Sequence, residues 1–255
     1  RIMAEKLTPE KIEEAAKYYE DITSGKTPIL DKDESFKQEQ PKILDSQARP
    51  IHKDMHEHLK KKDPNAFPLI PPTDPRLLMK IAPYTDDMLK EFKMKDRAEL
   101  SKKMYNSMVK YGGIGLSANQ VGLPFRMFVM GGHPEIEDGK VRNCYNPIIK
   151  DLSEETVLMK EGCLSFPFLF LSIKRPKWVN VQYTDDNGET VDEYLHGMSA
   201  RIFQHENEHM NGYVFTDLVS KLKLDMAKKK QKKLVTQTIK AQQQRLKSVI
   251  ASKNV

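Results

Sequence analysis

The pentapeptide HENEH at residues 205–209, inside FQHENEHMNG, restricts this chain more than any other feature. Side chains four apart on a helix lie on one face. His205 and His209 can therefore each give an imidazole nitrogen to one cation. Glu206, one step round, is placed to touch a water on that cation rather than to ligate it. The plain alternative is a polar helix that happens to carry two histidines. The readings differ in what they demand of the rest of the fold. A catalytic site of this kind takes three protein ligands and keeps a fourth position open, so a third donor must reach the helix from elsewhere. Cys163, in EGCLS at 161–165, offers one. A lone cysteine is more often a small buried hydrophobe; beside an H-E-x-x-H helix the ligand reading is the stronger. The only other cysteine, Cys144, lies beside Asn143 and Tyr145 and reads as core. Two cysteines build no disulfide framework, which points to a reducing compartment.

Local patterns give the order of elements. TPEKIEEAAKYYEDI (8–22) predicts a helix with Thr8 as N-cap and Pro9 at its first position. The charged stretch 24–50 has little periodicity and reads as extended or poorly ordered. IHKDMHEHLKKKD (51–63) reads as a short helix. His52 and His56 are also four apart, but His58 completes no evident ligand set, so no second metal site is expected there. FPLIPPTDP (67–75) marks a boundary, and 74–90 leads into the core. Residues 88–113 predict one long helix, with Met88, Phe92, Leu100, Met104, Met108 and Val109 on its apolar face and Gly112–Gly113 at its end. IGLSANQVG (114–122) reads as a glycine-punctuated turn. FRMFVMGG (125–132), VRNCYNPII (141–149), TVLMKEGCLS (156–165) and KWVNVQYTD (177–185) read as strands. CLSFPFLFLSI (163–173), the most apolar window, reads as buried strand. DDNG (185–188) is a hairpin turn returning through ETVDEYLHG (189–197). MSARIFQHENEHMNG (198–212) is a helix closed by Gly212, and the chain ends in a long Lys/Gln-rich helix. Strands in a run, with helices before and after, predict an α+β fold of mostly antiparallel sheets around the H-E-x-x-H helix. The expected division is an extension at 1–68, a catalytic domain at 69–216 and a basic C-terminal helix at 217–255.

GIGLSANQVG (113–122), EGCLS (161–165) and QHENEH (204–209) resemble, in order, the three signature motifs of the peptide deformylase family. The resemblance covers about 69–220, with DPRLLMKIAP (74–83) similar to the family's lead-in segment and GYVFTD (212–217) to the stretch after its helix. Residues 1–68 have no counterpart. The resemblance implies one divalent ion held by Cys163, His205 and His209, ferrous iron by family habit, with zinc, nickel or cobalt as substitutes. Two nitrogens and a thiolate suit all of these. It implies a substrate, a nascent peptide beginning with N-formylmethionine, and products, formate and a free amine. Glu206 would serve as general base and then deliver its proton to the leaving amine. Gln120 through its side-chain amide and Leu164 through its backbone N–H would donate to the formyl oxygen. Gly113 and Gly115 would let backbone approach the substrate closely. Ile114, Met159, Met198 and Ile202 are candidates for a methionine pocket, all equally explicable as core. Arg201 is expected at the pocket rim with its head in water, and Glu161 is expected to brace the glycine-rich loop or Arg201. The chain departs from the family pattern at Glu208, where aspartate is common, at LSAN for LAAT, and at Phe170, where many relatives carry a peptide-contacting arginine.

The net charge of +6 is concentrated in the tail. Residues 217–255 carry 11 Lys and Arg against two acids, Asp217 and Asp225, a local +9. Such a segment binds polyanions through counterion release, and bacterial relatives dock a C-terminal helix on the ribosome, so the ribosome is an expected partner. Few aromatics argue against base stacking. No apolar run approaches the ~18 residues of a membrane span, and no secretory signal is legible. The expected location is cytoplasmic, with an organellar matrix or virus-infected host cytoplasm also open. Two rival functions remain: an H-E-x-x-H metallopeptidase, and a non-catalytic ribosome- or RNA-binding protein.

Overall fold

The computed structural model describes residues 64–253. The expectations for 8–22, 24–50 and 51–63 fall outside the described residues. Among the described residues, seven strands form two antiparallel sheets. β1 (Gly115–Ser117), β2 (Met127–Gly131), β3 (Val141–Leu152), β6 (Trp178–Thr184) and β7 (Thr190–His196) make a five-stranded sheet in the order β1-β2-β3-β6-β7. β4 (Thr156–Cys163) and β5 (Phe166–Pro176) make a separate two-stranded sheet.

β2 explains how the sheet is covered. All five of its residues are buried, so it shows no polar alternation. Its side chains still alternate between faces. Met127 and Val129 join one apolar cluster with Leu100, Met104 and Met108 of helix α2 (Arg97–Lys110). Phe128 and Met130 join another with Ala200, Ile202 and Phe203 of helix α3 (Gly197–Met210). Neighbouring Cys144 and Tyr145 on β3 divide the same way. The sheet is therefore clad by α2 on one face and α3 on the other, and α3 is the helix carrying HENEH. Phe128 and Phe203 meet edge to face at 5.0 Å across this second interface.

Three local readings need correction. The helix expected over 88–113 is two: α1 (Asp87–Glu91) and α2. Lys93 takes φ 54°, outside the helical range, and Asp96 caps α2 by accepting from Glu99 N at 2.8 Å. Phe92 and Met94 turn inward at the break, whereas Val109 is exposed. The segment 114–122 is not only a turn: β1 pairs with β2 through Gly115↔Met130, Leu116↔Val129 and Ser117↔Phe128, before a 3₁₀ turn at Ala118–Val121. The window 163–173 is not one strand. β4 ends at Cys163 and β5 begins at Phe166, burying Leu169, Leu171 and Ile173 while Ser172 is exposed.

After α3 the chain makes a 3₁₀ turn (Phe215–Leu218) and then the long helix α4 (Lys221–Lys253). No described helix is long and apolar enough to cross a membrane.

Candidate metal centre

α3 delivers its two histidines to a fixed place because its C-terminal end, which carries His209, is held. Asn119 Nδ2 donates to His209 O at 2.9 Å, from the 3₁₀ turn after β1. The chain leaves α3 through Gly212 at φ 79°. A Cβ there would stand 2.7 Å from Leu78 O, so only glycine allows this close approach. β4 supplies Cys163 as its last residue. The ligand atoms of Cys163, His205 and His209 all lie within 4.8 Å of one another, with Cys163 Sγ 3.4 Å from His209 Nε2.

The donors are also prepared chemically. His205 Nδ1 lies 3.3 Å from Glu161 Oε2, which leaves Nε2 for a ligand. Burial opposes charge on His205, yet Cys163 and Glu161 hold its pKa well above the usual imidazole value, so the space between thiol and carboxylate favours positive charge. Burial, then His205, push His209 well down, leaving a neutral imidazole. One thiolate, one carboxylate-oriented imidazole and one neutral imidazole fit a divalent first-row ion; the set does not choose which.

Glu206 is buried, and burial pushes its carboxyl up to about 6, with His205 and Ser117 pulling the other way. Ser117 Oγ lies 2.9 Å from Glu206 Oε2 and 2.9 Å from Gln120 Oε1, one hydroxyl facing two acceptors. Gln120 Oε1 also accepts from Ser117 N at 2.9 Å. This turns Gln120 Nε2 toward Ser165 Oγ at 3.0 Å and Cys163 Sγ at 3.4 Å. Gly115 lies against the same carboxylate: a Cβ there would stand 3.0 Å from Glu206 Cδ and 2.8 Å from Ile202 Cγ2. A Cβ on Gly113 would stand 2.6 Å from Leu164 Cδ1.

The structure thus brings Cys163, His205, His209, Glu206, Gln120, Gly113, Gly115, Leu164 and Ile202 together. Ile114 is half-buried at the edge of the second cluster, its carbonyl accepting from Gly131 N at 2.9 Å. Two pocket candidates stand further off. Met159 lies opposite Ile173, four residues before Cys163, about 13 Å along an extended strand. Met198 packs on the second cluster, seven residues before His205, about 10 Å along a helix.

Arg201 overturns its expectation. Its head is not in water: the residue is 5% exposed, and its guanidinium donates to Glu161, to Ile173 O at 3.2 Å and to Val157 O at 2.6 Å. Glu161 braces Arg201 and His205 rather than the glycine-rich loop or a substrate. Its other partner is Arg175, Nε to Oε1 at 2.6 Å and Nη2 to Oε2 at 2.9 Å. Arg175 goes on to Glu208, Nη1 to Oε1 at 2.5 Å. Burial works against ionised Glu161, but His205 and Arg175 outweigh it and hold the carboxyl at about 2. Arg175, Ser117 and Ser165 were missed in the sequence. A signal existed for Arg175: it follows Leu169, Leu171 and Ile173 on the inward register of β5, where a cation must find an acid.

A thiol and two imidazoles converging on one point, with a buried carboxylate beside them, define the site of a metal-dependent hydrolase. A family model described as polypeptide deformylase matches residues 68–225. A peptide deformylase of Thermotoga sp. (strain RQ2) is 40% identical over 159 residues, covering 62% of this chain and 89% of its own. One of Wolbachia pipientis wMel is 40% identical over 178 residues, covering 66% and 95%. The crystal structure of peptide deformylase from Ehrlichia chaffeensis superposes with a TM-score of 0.58 at 35% identity, covering 68% of this chain and 99% of that one. The chain belongs to the polypeptide deformylase family.

Proposed function

We propose that this chain removes the formyl group from N-formylmethionyl nascent peptides, releasing formate and a free amino terminus. The observation that carries this reading is the arrival of Cys163 beside two helical histidines, with Glu206 buried next to them. Cys163, His205 and His209 hold one divalent ion, Fe2+ in the cell, with Zn2+, Ni2+ or Co2+ able to replace it. The ion supplies Lewis acidity, which lets water ionise near neutral pH.

The chain's own residues do the rest. Glu206, raised to about 6, is matched to accept a proton near neutrality and return it to the leaving amine. Gln120 Nε2 and the Leu164 N–H donate to the formyl oxygen as negative charge grows there. Ser117 orients both Gln120 and Glu206. Among the described residues, β1 is the edge of the large sheet and β4 is paired on one side only. Their outer edges, at Gly115 and at 162–163, carry no strand among the described residues and offer backbone groups for an extended peptide to pair with. Ile202 and Ile114 form the apolar wall for methionine. The catalytic unit is 69–216, with 1–68 as an extension and 217–255 as a basic helix that docks on the ribosome. The working location is the cytoplasm or an organellar matrix.

One assay tests the reading. The chain is offered formyl-Met-Ala-Ser and, separately, an unformylated peptide with internal bonds. Formate release alone is expected. Internal cleavage would make the chain a metallopeptidase. Neither reaction, together with ribosome binding, would make it a silent adaptor.

A further inference from the structure

The third apolar cluster joins two parts of the chain that lie far apart in sequence. Leu169, Leu171, Ile173 and Phe215 are its buried centre, and Cys163, Phe166, Val219, Leu224 and Ala227 pack against it. A candidate metal ligand and the first turns of α4 therefore share one cluster. Along α4 the inward positions are Leu224, Ala227, Gln231 and Val235, spaced three or four apart as one helix face requires. Gln231 and Val235 are buried, 8% and 6% exposed. The opposite side of the helix carries exposed Lys229, Lys232, Lys233 and Lys240.

Gln231 does more than fill space. Its Nε2 donates to Pro167 O at 2.7 Å. The next residue, Phe168, sits at φ 62°, a left-handed conformation that an aromatic residue adopts only when its surroundings hold it there. The strained peptide lies in β5, in the irregular stretch of the hairpin opposite Gly162 and Cys163. Cys163 pairs with Phe166 at the turn end of the β4–β5 hairpin, where the register shifts, and Ser165 is held from the other side by Gln120 at 3.0 Å. The family match ends at residue 225, so Ala227, Gln231 and Val235 lie beyond anything it assigns.

We propose that α4 is part of the framework of the metal centre, with Gln231 as a positioning residue that fixes the Pro167–Phe168 peptide and through it the Cys163 thiol. This rests on Cys163 being a ligand. The inward face of α4 keeps the site in shape, and its lysine face is left free for a polyanion.

The test uses the full chain loaded with Co2+. Release to excess EDTA is followed by decay of the thiolate-to-cobalt absorption. Gln231→Met keeps the length of the side chain and removes the donor. It is expected to speed release about fivefold or more, since the Pro167 carbonyl loses its partner. Lys232→Gln, on the outer face, is expected to leave release unchanged. A purely structural role for Gln231 would lower the thermal midpoint and leave release at the parental rate, and parental release in Gln231→Met overturns the proposal. If Gln231→Met does not fold, Val235→Ala is read by the same two outcomes. Absence of the thiolate band in the parent chain would refute Cys163 as ligand and the proposal with it; a parental band with unaltered release in the variant refutes the proposal alone.

Discussion

Glu161 stands beside His205: its Oε2 faces Nδ1 at 3.3 Å, leaving Nε2 for the shared cation. The carboxylate is itself fixed by Arg175 and Arg201. The imidazole is thereby held in one tautomer with Nε2 offered to a cation. Orienting partners of this kind typically contribute 10–100-fold to metal affinity. Glu161→Gln is expected to weaken Zn2+ binding by about that factor, read by competition with a chromophoric chelator. Unchanged affinity would show that the helix alone orients His205.

Gly115 and Glu206 are a second such pair, in which one residue matters for what it lacks. A Cβ at Gly115 would crowd Glu206 Cδ at 3.0 Å and Ile202 at 2.8 Å. Gly115→Ala is expected to displace the carboxylate while leaving Cys163, His205 and His209 in place. A displacement of about 1 Å can cost on the order of 10²-fold in rate. Metal content and turnover on a formylated peptide, measured on one preparation, check this; normal turnover would show that the carboxylate has room to move.

Glu206→Gln separates proton transfer from metal binding. The variant keeps the shape of the buried side chain and its contact with Ser117. It is expected to retain the ion and lose at least ~10²-fold of rate, the usual contribution of an acid–base group. Loss of metal would instead make Glu206 a ligand.

What was legible in the sequence follows from how local each signal is. The HENEH helix, the DDNG hairpin and the apolar runs of β2 and β6 are written in adjacent residues, and the family motifs add Cys163, Gln120 and Leu164. The meaning of Arg175 depends on register, because only after β5 pairs with β4 does it face Glu161. From the sequence Arg201 looks like a rim residue, because helical spacing does not reveal that both β4 and β5 cross its head. The break at Phe92–Asp96 was hidden by helix-forming residues on either side; tertiary burial of Phe92 and Met94 decides it. β1 has three residues and takes its hydrogen bonds from β2, so it has no local pattern to show.

Away from the site, Arg142 offers a test of pH dependence. It is buried and pairs with Glu193, Nε to Oε1 at 2.7 Å. Burial works against ionised Glu193, but Arg142 outweighs it and holds the carboxyl below its ordinary value. A depressed folded-state pKa gives stability that is present above the unfolded value, ~4.3 for glutamate, and is lost as pH falls through the folded one. The stability advantage of the parent chain over Arg142→Met is therefore expected to be full at pH 7 and to shrink below about pH 4.3. Urea melts at pH 7, 5, 4 and 3 check this; an advantage independent of pH would mean that Arg142 acts through packing alone.

The whole account depends on one thiol and two imidazoles meeting at one ion. X-ray absorption at the metal edge of the zinc-loaded chain reads that directly. The predicted first shell has one sulfur at about 2.3 Å and two nitrogens at about 2.0–2.1 Å, completed by a light atom from solvent. A shell without sulfur, or with a single imidazole, would contradict it.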